Sequence, residues 1–213
     1  MTGVVVLASG RGTTLQALLD AFPAAGSPDR VAVVAVLCNT PGAAALERAR
    51  DTGIPAVLVD HRSRSAESFE ADLAGAIDAF APDLVCLAGF LRILSATFVA
   101  RYAGRMLNTH PALLPAFGGK GMYGDRVHRA VLESGAAVSG CTVHAVDETP
   151  DGGPIVAQRT VPVLRGDTPE GLAARVQAEE RRLYPEVVRW WAAGRFVIRD
   201  RRVTWQASGG RRE

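Results

Sequence analysis

The feature that most narrows the fold is a repeated alternation along the first half of the chain. Short, apolar, mostly β-branched runs occupy residues 3–8 (GVVVLA), 31–37 (VAVVAVL), 56–59 and 84–88. A strand that is apolar at every position is covered on both faces, as strands of parallel sheets are. Between the runs, Leu15, Leu18, Leu19 and Phe22 recur at helical spacing, residues 43–52 form a second helical stretch ending at Gly53, and residues 67–80 a third, broken by Ala81-Pro82-Asp83. Strand and helix alternating in this way predict a parallel α/β sheet with right-handed crossovers.

In such sheets ligands bind beyond the carboxyl ends of the strands. That rule places residues 9–14 (SGRGTT), 89–92 (GFLR) and 108–110 (NTH) along one edge. The first is a glycine-rich turn between a strand and a helix, the setting in which helix N-terminal amides hold an anion. A dinucleotide fingerprint would need a third glycine where Leu15 stands and an acid where the second strand ends in Cys38-Asn39. A single phosphate fits better than NAD; a plain tight turn with Thr13 or Thr14 as N-cap is the alternative.

Residues 107–115 (LNTHPALLP) put Asn108 and His110 two positions apart at the end of an apolar run. Alternate strand residues share a face, and Pro111 biases His110 toward an extended backbone. An amide donor beside a titratable imidazole suits a site that polarises a carbonyl, although a polar pair at an ordinary strand corner has the same spacing.

The remainder continues the pattern. A short helix is expected at 95–102. Residues 116–124 hold four glycines in nine positions, as a mobile lid or a plain connector would. A helix at 125–133 and a strand at 138–146 lead to an acidic, glycine-rich turn at 147–154, and the strand at 155–163 returning from it is compatible with an antiparallel pair. Thr168 as N-cap and Pro169 at the first helical position open the longest helix, to about 193, which Pro185 should kink or split. Residues 196–198 and 203–205 read as a terminal hairpin and 211–213 as a frayed tail. One domain is expected over 1–213, its core at about 3–193 with the hairpin and tail at 194–213.

With 24 basic and 22 acidic residues the charge of +2 gives no argument for nucleic acid or a membrane surface. Cys38, Cys86 and Cys141 form no ligand pattern, and an odd, scattered set suits a reducing compartment. No signal peptide or membrane span is legible at the N-terminus, so a cytoplasmic location is expected. His61 and His128 read as surface residues, and His144, inside an apolar strand, as a satisfied core histidine. Four histidines without acids at ligand spacing predict no metal site. Trp190 and Trp191 read as core or interface.

Asn108–His110–Pro111 with Leu113-Leu114-Pro115, together with Asp151-Gly152-Gly153-Pro154-Ile155, strongly resemble the folate-dependent formyltransferases, and residues 9–14 and 89–94 fit the same pattern. The resemblance runs from Val4 to about Trp191. It implies a Rossmann-like, mostly parallel twisted sheet with helices on both faces. It also implies transfer of the formyl group of 10-formyltetrahydrofolate, as co-substrate and without a metal, to the amine of glycinamide ribonucleotide in purine synthesis. Carried over residue by residue, the catalytic positions are Asn108, His110 and Asp151. Gly12, Thr13 and Thr14 fall on the phosphate loop, with Thr14 replacing the family's usual asparagine. Gln177 and Glu180 match ribonucleotide contacts. Leu91, Arg92, Ile93 and Leu94 match the pteridine segment, as does the backbone of 146–150 beginning at Val146; Asn108 and Asp151 border the same folate. The basic residue that meets the folate tail in some members is Ala66 here, which leaves Arg62 or Arg64 for that contact. The 118–124 loop is longer than in some members. For Arg92 a solvated strand-end charge is the lesser alternative, and at the position of His144 the family keeps a histidine near the site.

The implied chemistry is direct amine attack on the formyl carbon. Asn108 and protonated His110 would donate to the developing oxyanion. Asp151 is expected to raise the imidazole's pKa by roughly one unit or more, and the nitrogen's proton to leave through water near Asp151. No covalent intermediate is required. A formyltransferase acting on methionyl-tRNA, a formyltetrahydrofolate hydrolase and a non-enzymatic nucleotide-binding module are the other readings. The first two carry further domains for which this length leaves no room; the third gives Asn108, His110 and Asp151 no reason to coexist. Small molecules are the expected partners, and a homodimer is left open.

Overall fold

The computed structural model describes residues 1–24, 27–199 and 201–206; the tail expected at 211–213 lies outside them. The elements are β1 (Thr2–Ala8), α1 (Thr13–Ala21), β2 (Val31–Cys38), α2 (Ala44–Asp51), β3 (Ala56–Leu58), α3 (Ala66–Asp78), β4 (Leu84–Leu87), α4 (Ala96–Arg101), β5 (Met106–His110), α5 (Asp125–Glu133), β6 (Val138–Ala145), β7 (Ile155–Pro162), α6 (Pro169–Ala192), β8 (Phe196–Arg199) and β9 (Arg202–Trp205). Among the described residues, seven strands form one mostly parallel sheet, in the order β3-β2-β1-β4-β5-β6-β7, with helices on both sides. The chain divides into two compact units, Met1–Leu107 and Asn108–Glu213.

In the first unit β1 pairs in parallel with β2 and β4, and β2 with β3. The apolar runs are buried as their composition requires: residues 4–8 of β1 and 84–86 of β4 have no exposed surface. From β1 the chain goes outward through β2 and β3 and then returns to β4 on the other side. The order therefore reverses between β1 and β4, the crevice where open α/β sheets take ligands. Ser65 and Ser95 cap α3 and α4 by accepting from Ser68 N and Phe98 N, each such cap being worth about 1 kcal/mol. The glycine turn is not built as the alternative reading had it. Neither Thr13 nor Thr14 caps α1; the N-cap is Gly12, at φ 70, with no side-chain cap hydrogen bond. Its left-handed backbone turns the strand end into the helix so tightly that a Cβ there would lie 3.1 Å from Ala45 Cα.

In the second unit β6 and β7 pair antiparallel, with a register shift between Val143 and His144. Thr168 caps α6 by accepting from Gly171 N, and Pro169 stands at its start. Pro185 does not split this helix, which runs unbroken over 24 residues. The missing N–H and ring clash cost about 3 kcal/mol. Leu183, Tyr184, Val187 and Val188, buried on either side of Pro185, each contribute about 1.5–3 kcal/mol and outweigh it. The terminal hairpin is present: β8 and β9 pair antiparallel, and Trp205 packs on Trp190 and Phe196 with ring centroids 5.4 Å apart in each case. Trp191 is buried. No helix among the described residues is long and apolar enough to cross a membrane.

Candidate functional site

Four polar side chains meet within the second unit. β5 ends in Asn108 and His110, two positions apart and therefore on one face. His144 comes from β6, and Asp151 from the turn between β6 and β7. His110 Nδ1 lies 3.4 Å from Asp151 Oδ2, and His144 Nε2 lies 3.7 Å from Asp151 Oδ1. Asn108 Nδ2 is 3.2 Å from His144 Nε2. The three residues expected from the chain's motifs are thus brought together, and His144 closes the group.

Hydrogen-bond complementarity fixes the histidine protons. A main-chain carbonyl only accepts, so His144 Nδ1–H donates to Ala145 O at 2.9 Å and its Nε2 accepts from the Asn108 amide. His110 Nε2–H donates to Phe117 O at 2.8 Å in the same way, leaving Nδ1 toward the carboxylate. The glycine-rich segment is therefore docked here. Its Gly119 N–H donates to Asp151 Oδ2 at 2.9 Å, and a Cβ on Gly118 would lie 2.5 Å from Leu114 Cδ2 and 3.2 Å from Asp151 Cβ. Phe117 and Asp151 both hold left-handed backbones, at φ 57 and φ 55, which non-glycine residues keep only where their surroundings impose it.

Behind the site, the fully buried Thr142 hydroxyl donates to Ala112 O at 2.6 Å and accepts from Leu114 N at 3.1 Å and Gln158 Nε2 at 2.9 Å. Gln158 also donates to Leu114 O at 2.9 Å. These bonds tie the segment that follows His110 to β6 and β7. The Leu114–Pro115 peptide is cis.

The electrostatics correct one expectation. Burial pushes His110 below the usual imidazole value; the Asp151 carboxylate and the Phe117 carbonyl oppose this without reversing it, and His144 adds to the drop. Desolvation of the cation outweighs the countercharge, so the expected upward shift is not found. Burial likewise pushes Asp151 up, but His144, the His110 charge and the Gly119 N–H together overcome it and hold the carboxyl below its ordinary value.

His128 is a second correction. It is 2% exposed rather than on the surface, because Val127 and Val131 turn that face of α5 inward. Burial lowers its pKa, with Asp125 opposing and His110 adding to the drop. His61 is half-buried and donates to Asn39 O at 2.6 Å. Gln177 and Glu180 lie on α6, half-buried and buried. Val146, half-buried, follows β6. Burial pushes the Cys141 thiol up to about 12, with Glu180 adding to the rise.

The first unit holds the other expected residues. Ser9 N–H donates to Gly89 O at 3.1 Å and Leu91 N–H to Ser9 Oγ at 2.9 Å, so the ends of β1 and β4 are stitched together at the switch point. Gly12 and Thr13 are half-buried, and Thr14 is buried beside Leu15, which fully buries its side chain where a dinucleotide fingerprint would have a third glycine. Arg48 braces the turn, donating to Arg11 O at 2.8 Å and Gln16 Oε1 at 2.9 Å. Leu91 and Ile93 are each 60% exposed while Leu94 is buried, an apolar ledge without an evident structural purpose. Arg92 is exposed, with its guanidinium 5.9 Å from the Phe69 ring centre. Arg62 and Arg64 pair with Asp60 at 2.7 Å and Asp72 at 2.5 Å, exposed contacts of little strength. Among the described residues no group of three or more His, Cys, Asp or Glu could hold a metal ion.

Read from the strand pattern alone, His144 was a core histidine and only the family resemblance put it near the site; the Phe117 carbonyl was missed. For His144 the available signal was its two-residue spacing from Thr142 on β6, which puts both on one face. For the carbonyl there was none.

The Formyl transferase family profile matches residues 2–188. The phosphoribosylglycinamide formyltransferase of Escherichia coli (strain K12) is 43% identical over 198 residues, 92% of this chain and 90% of that protein. The trifunctional purine biosynthetic protein adenosine-3 of Bos taurus is 40% identical over 205 residues, 95% of this chain but only 20% of that protein. The crystal structure of glycinamide ribonucleotide transformylase 1 from Symbiobacterium toebii gives a TM-score of 0.88 at 42% identity, covering 97% of this chain and 95% of that one. The phosphoribosylglycinamide formyltransferase of Coxiella burnetii, solved in complex with CHES, gives 0.87 at 38% identity over 96% and 93% of the two chains. Sequence, fold and the polar cluster agree: this chain belongs to the formyl transferase family.

Proposed function

We propose that this chain, acting as one formyltransferase domain, carries the formyl group of 10-formyltetrahydrofolate to the amine of 5-phosphoribosylglycinamide, in de novo purine synthesis. The observation that carries the reading is the convergence of Asn108, His110, His144 and Asp151, each within 3.7 Å of a neighbour, in a chain 43% identical to a phosphoribosylglycinamide formyltransferase.

Attack of the amine on the formyl carbon moves negative charge to the formyl oxygen. The Asn108 amide, its carboxamide oriented by His144, supplies a neutral donor. His110 Nε2–H, now given to Phe117 O, supplies the second. Both nitrogens of His110 face acceptors, Phe117 O and the Asp151 carboxylate, an arrangement that fits an imidazolium better than a neutral ring. Burial opposes that charge in the free protein. An oxyanion beside His110 supplies a further countercharge, so the cation is favoured most as the intermediate forms. Asp151, held ionised, takes the amine's proton through water and passes a proton on to N10 of the folate as the tetrahedral centre collapses, so that the bond from the formyl carbon to N10 breaks and tetrahydrofolate leaves as the neutral amine. No enzyme nucleophile takes part, and the three cysteines are buried.

By resemblance, Gly12, Thr13 and Thr14 hold the ribonucleotide phosphate on the amides that open α1, and Gln177 and Glu180 contact the rest of the ribonucleotide. The exposed Leu91 and Ile93, with Arg92, Leu94 and the backbone from Val146, hold the pteridine. Buried free cysteines suit a reducing cytoplasm. The test is to offer 10-formyltetrahydrofolate with glycinamide ribonucleotide, with methionyl-tRNA and with water alone. Transfer to the ribonucleotide is expected. Robust transfer to tRNA, or hydrolysis that ignores the ribonucleotide, overturns the reading.

A further inference from the structure

We infer that Arg201 is a positioning residue for Asp151: from the tip of the terminal hairpin it grips both shoulders of the turn that carries this carboxylate. The inference rests on the formyl transfer proposed above and on the part Asp151 plays in it.

Asp151 needs such support. Its φ of 55 is a conformation that an L residue holds only when its neighbours impose it. The turn closes on itself through Thr149 N–H to Asp147 Oδ1 at 2.9 Å and Gly152 N–H to Thr149 O at 2.9 Å. Those bonds shape the turn but leave its placement to other contacts. At its far end Ala145 N–H donates to Pro154 O at 2.8 Å, and Gly119 N–H reaches Asp151 itself.

Arg201 adds the remaining constraint. Its Nη1 lies 2.5 Å from Asp147 Oδ2, and its Nη2 donates to Gly152 O at 3.2 Å. Asp147 Oδ2 is a buried oxygen with no hydrogen bond among the described residues, so the guanidinium is the charge that compensates its burial. One planar fork thereby joins residues 147 and 152, and Asp151 lies between them.

The fork has firm ground behind it. Arg201 precedes β9 with a left-handed backbone, at φ 57, and β9 pairs with β8 from Arg199↔Arg202 to Phe196↔Trp205. Trp205 packs on Trp190 of α6, and Gln206 N–H donates to Arg195 O at 2.8 Å. A tether therefore runs from α6 through the hairpin to the turn and so to His110. The Arg201 side chain is 55% exposed and that of Asp147 17%, so salt and water screen the pair; its loss should loosen the turn rather than unfold it.

The experiment compares the parent with Arg201→Ala, Arg201→Lys, Asp147→Asn and the double variant Arg201→Ala/Asp147→Asn. Asparagine keeps the acceptor for Thr149 N–H and removes only the charge. Amide hydrogen exchange at residues 148–153 should quicken in Arg201→Ala while β6 and α6 keep their protection. In the transfer assay kcat should fall roughly three- to tenfold with KM for glycinamide ribonucleotide unchanged. The lysine variant should recover part of the loss, and the double variant should be no worse than the worse single one. Unchanged exchange in the turn overturns the inference. So does an unchanged kcat, or a double variant whose loss is the product of the two single losses. A parent without transfer activity would instead overturn the functional reading, and the exchange data would still decide whether Arg201 holds the turn.

Discussion

Replacing Thr142 by Val removes one hydroxyl from a fully buried position while leaving shape and volume nearly unchanged. That hydroxyl serves three partners: Ala112 O at 2.6 Å, Leu114 N at 3.1 Å and Gln158 Nε2 at 2.9 Å. Gln158 keeps its bond to Leu114 O, so its loss is partial. Ala112 O and Leu114 N are stranded in the interior, and a buried group left unpaired costs about 1–3 kcal/mol. Two such groups cost about 2–6 kcal/mol, against which the added methyl contributes about 0.8 kcal/mol. The expected loss of stability is therefore about 1–5 kcal/mol, a large part of a typical total of about 5–15 kcal/mol. Urea unfolding followed by tryptophan fluorescence should show an earlier midpoint with little change in slope, and Thr142→Ser should stay close to the parent. A valine variant within about 0.5 kcal/mol of the parent would refute the claim that this hydroxyl holds the segment after His110.

Asn108→Ala and His110→Ala should each lower kcat by about a hundredfold or more, the scale of a lost oxyanion donor, with folate binding altered far less; near-normal turnover in steady-state kinetics would remove that residue from the mechanism. Asp151→Asn deletes the carboxylate that raises His110, so the imidazole should titrate lower than in the parent by NMR, and identical midpoints would end the pairing. Gly12→Ala forces a Cβ to 3.1 Å from Ala45 Cα at φ 70 and should raise KM for glycinamide ribonucleotide more than it lowers kcat, as initial rates will show. His110 and His128 have folded pKa values below the unfolded value of about 6.5. Stability from keeping them neutral is complete above that value and is lost as pH falls through the folded values, so the urea midpoint should drop between pH 8 and pH 5.5. His128→Gln should flatten part of that drop.

The architecture was legible because burial on both faces leaves a local trace. The apolar runs at 3–8, 31–37 and 84–88 fall within a residue of β1, β2 and β4. The site was legible only where side chains announce chemistry. Asn108, His110 and Asp151 stood out by residue type and by the motifs around them, and the structure brings these three side chains together. His144 sits between Val143 and Ala145, and one strand's pattern cannot reveal that its ring will meet Asn108. His128 looked solvated because helical spacing shows which positions share a face, not how deeply that face is packed. The sign of the His110 shift depended on two opposing terms, and burial, the larger, is a property of the fold. Pro185 misled for a related reason: its local cost was clear, but the packing on either side that outweighs it was not.

The Phe117 carbonyl gives His110 a partner before any substrate arrives. In the proposed mechanism a formyl oxygen approaching the same N–H must evict a peptide oxygen of nearly equal accepting strength, so exchanging one neutral carbonyl for another gains almost nothing. Once the oxygen becomes anionic the exchange turns favourable, because a charge-assisted hydrogen bond is roughly twice as strong as a neutral one. The resident carbonyl thus acts as a reference weight on the balance. On the mechanism proposed here it cancels what the imidazole would otherwise contribute to holding the substrate, and leaves its attraction for the oxyanion to lower the barrier.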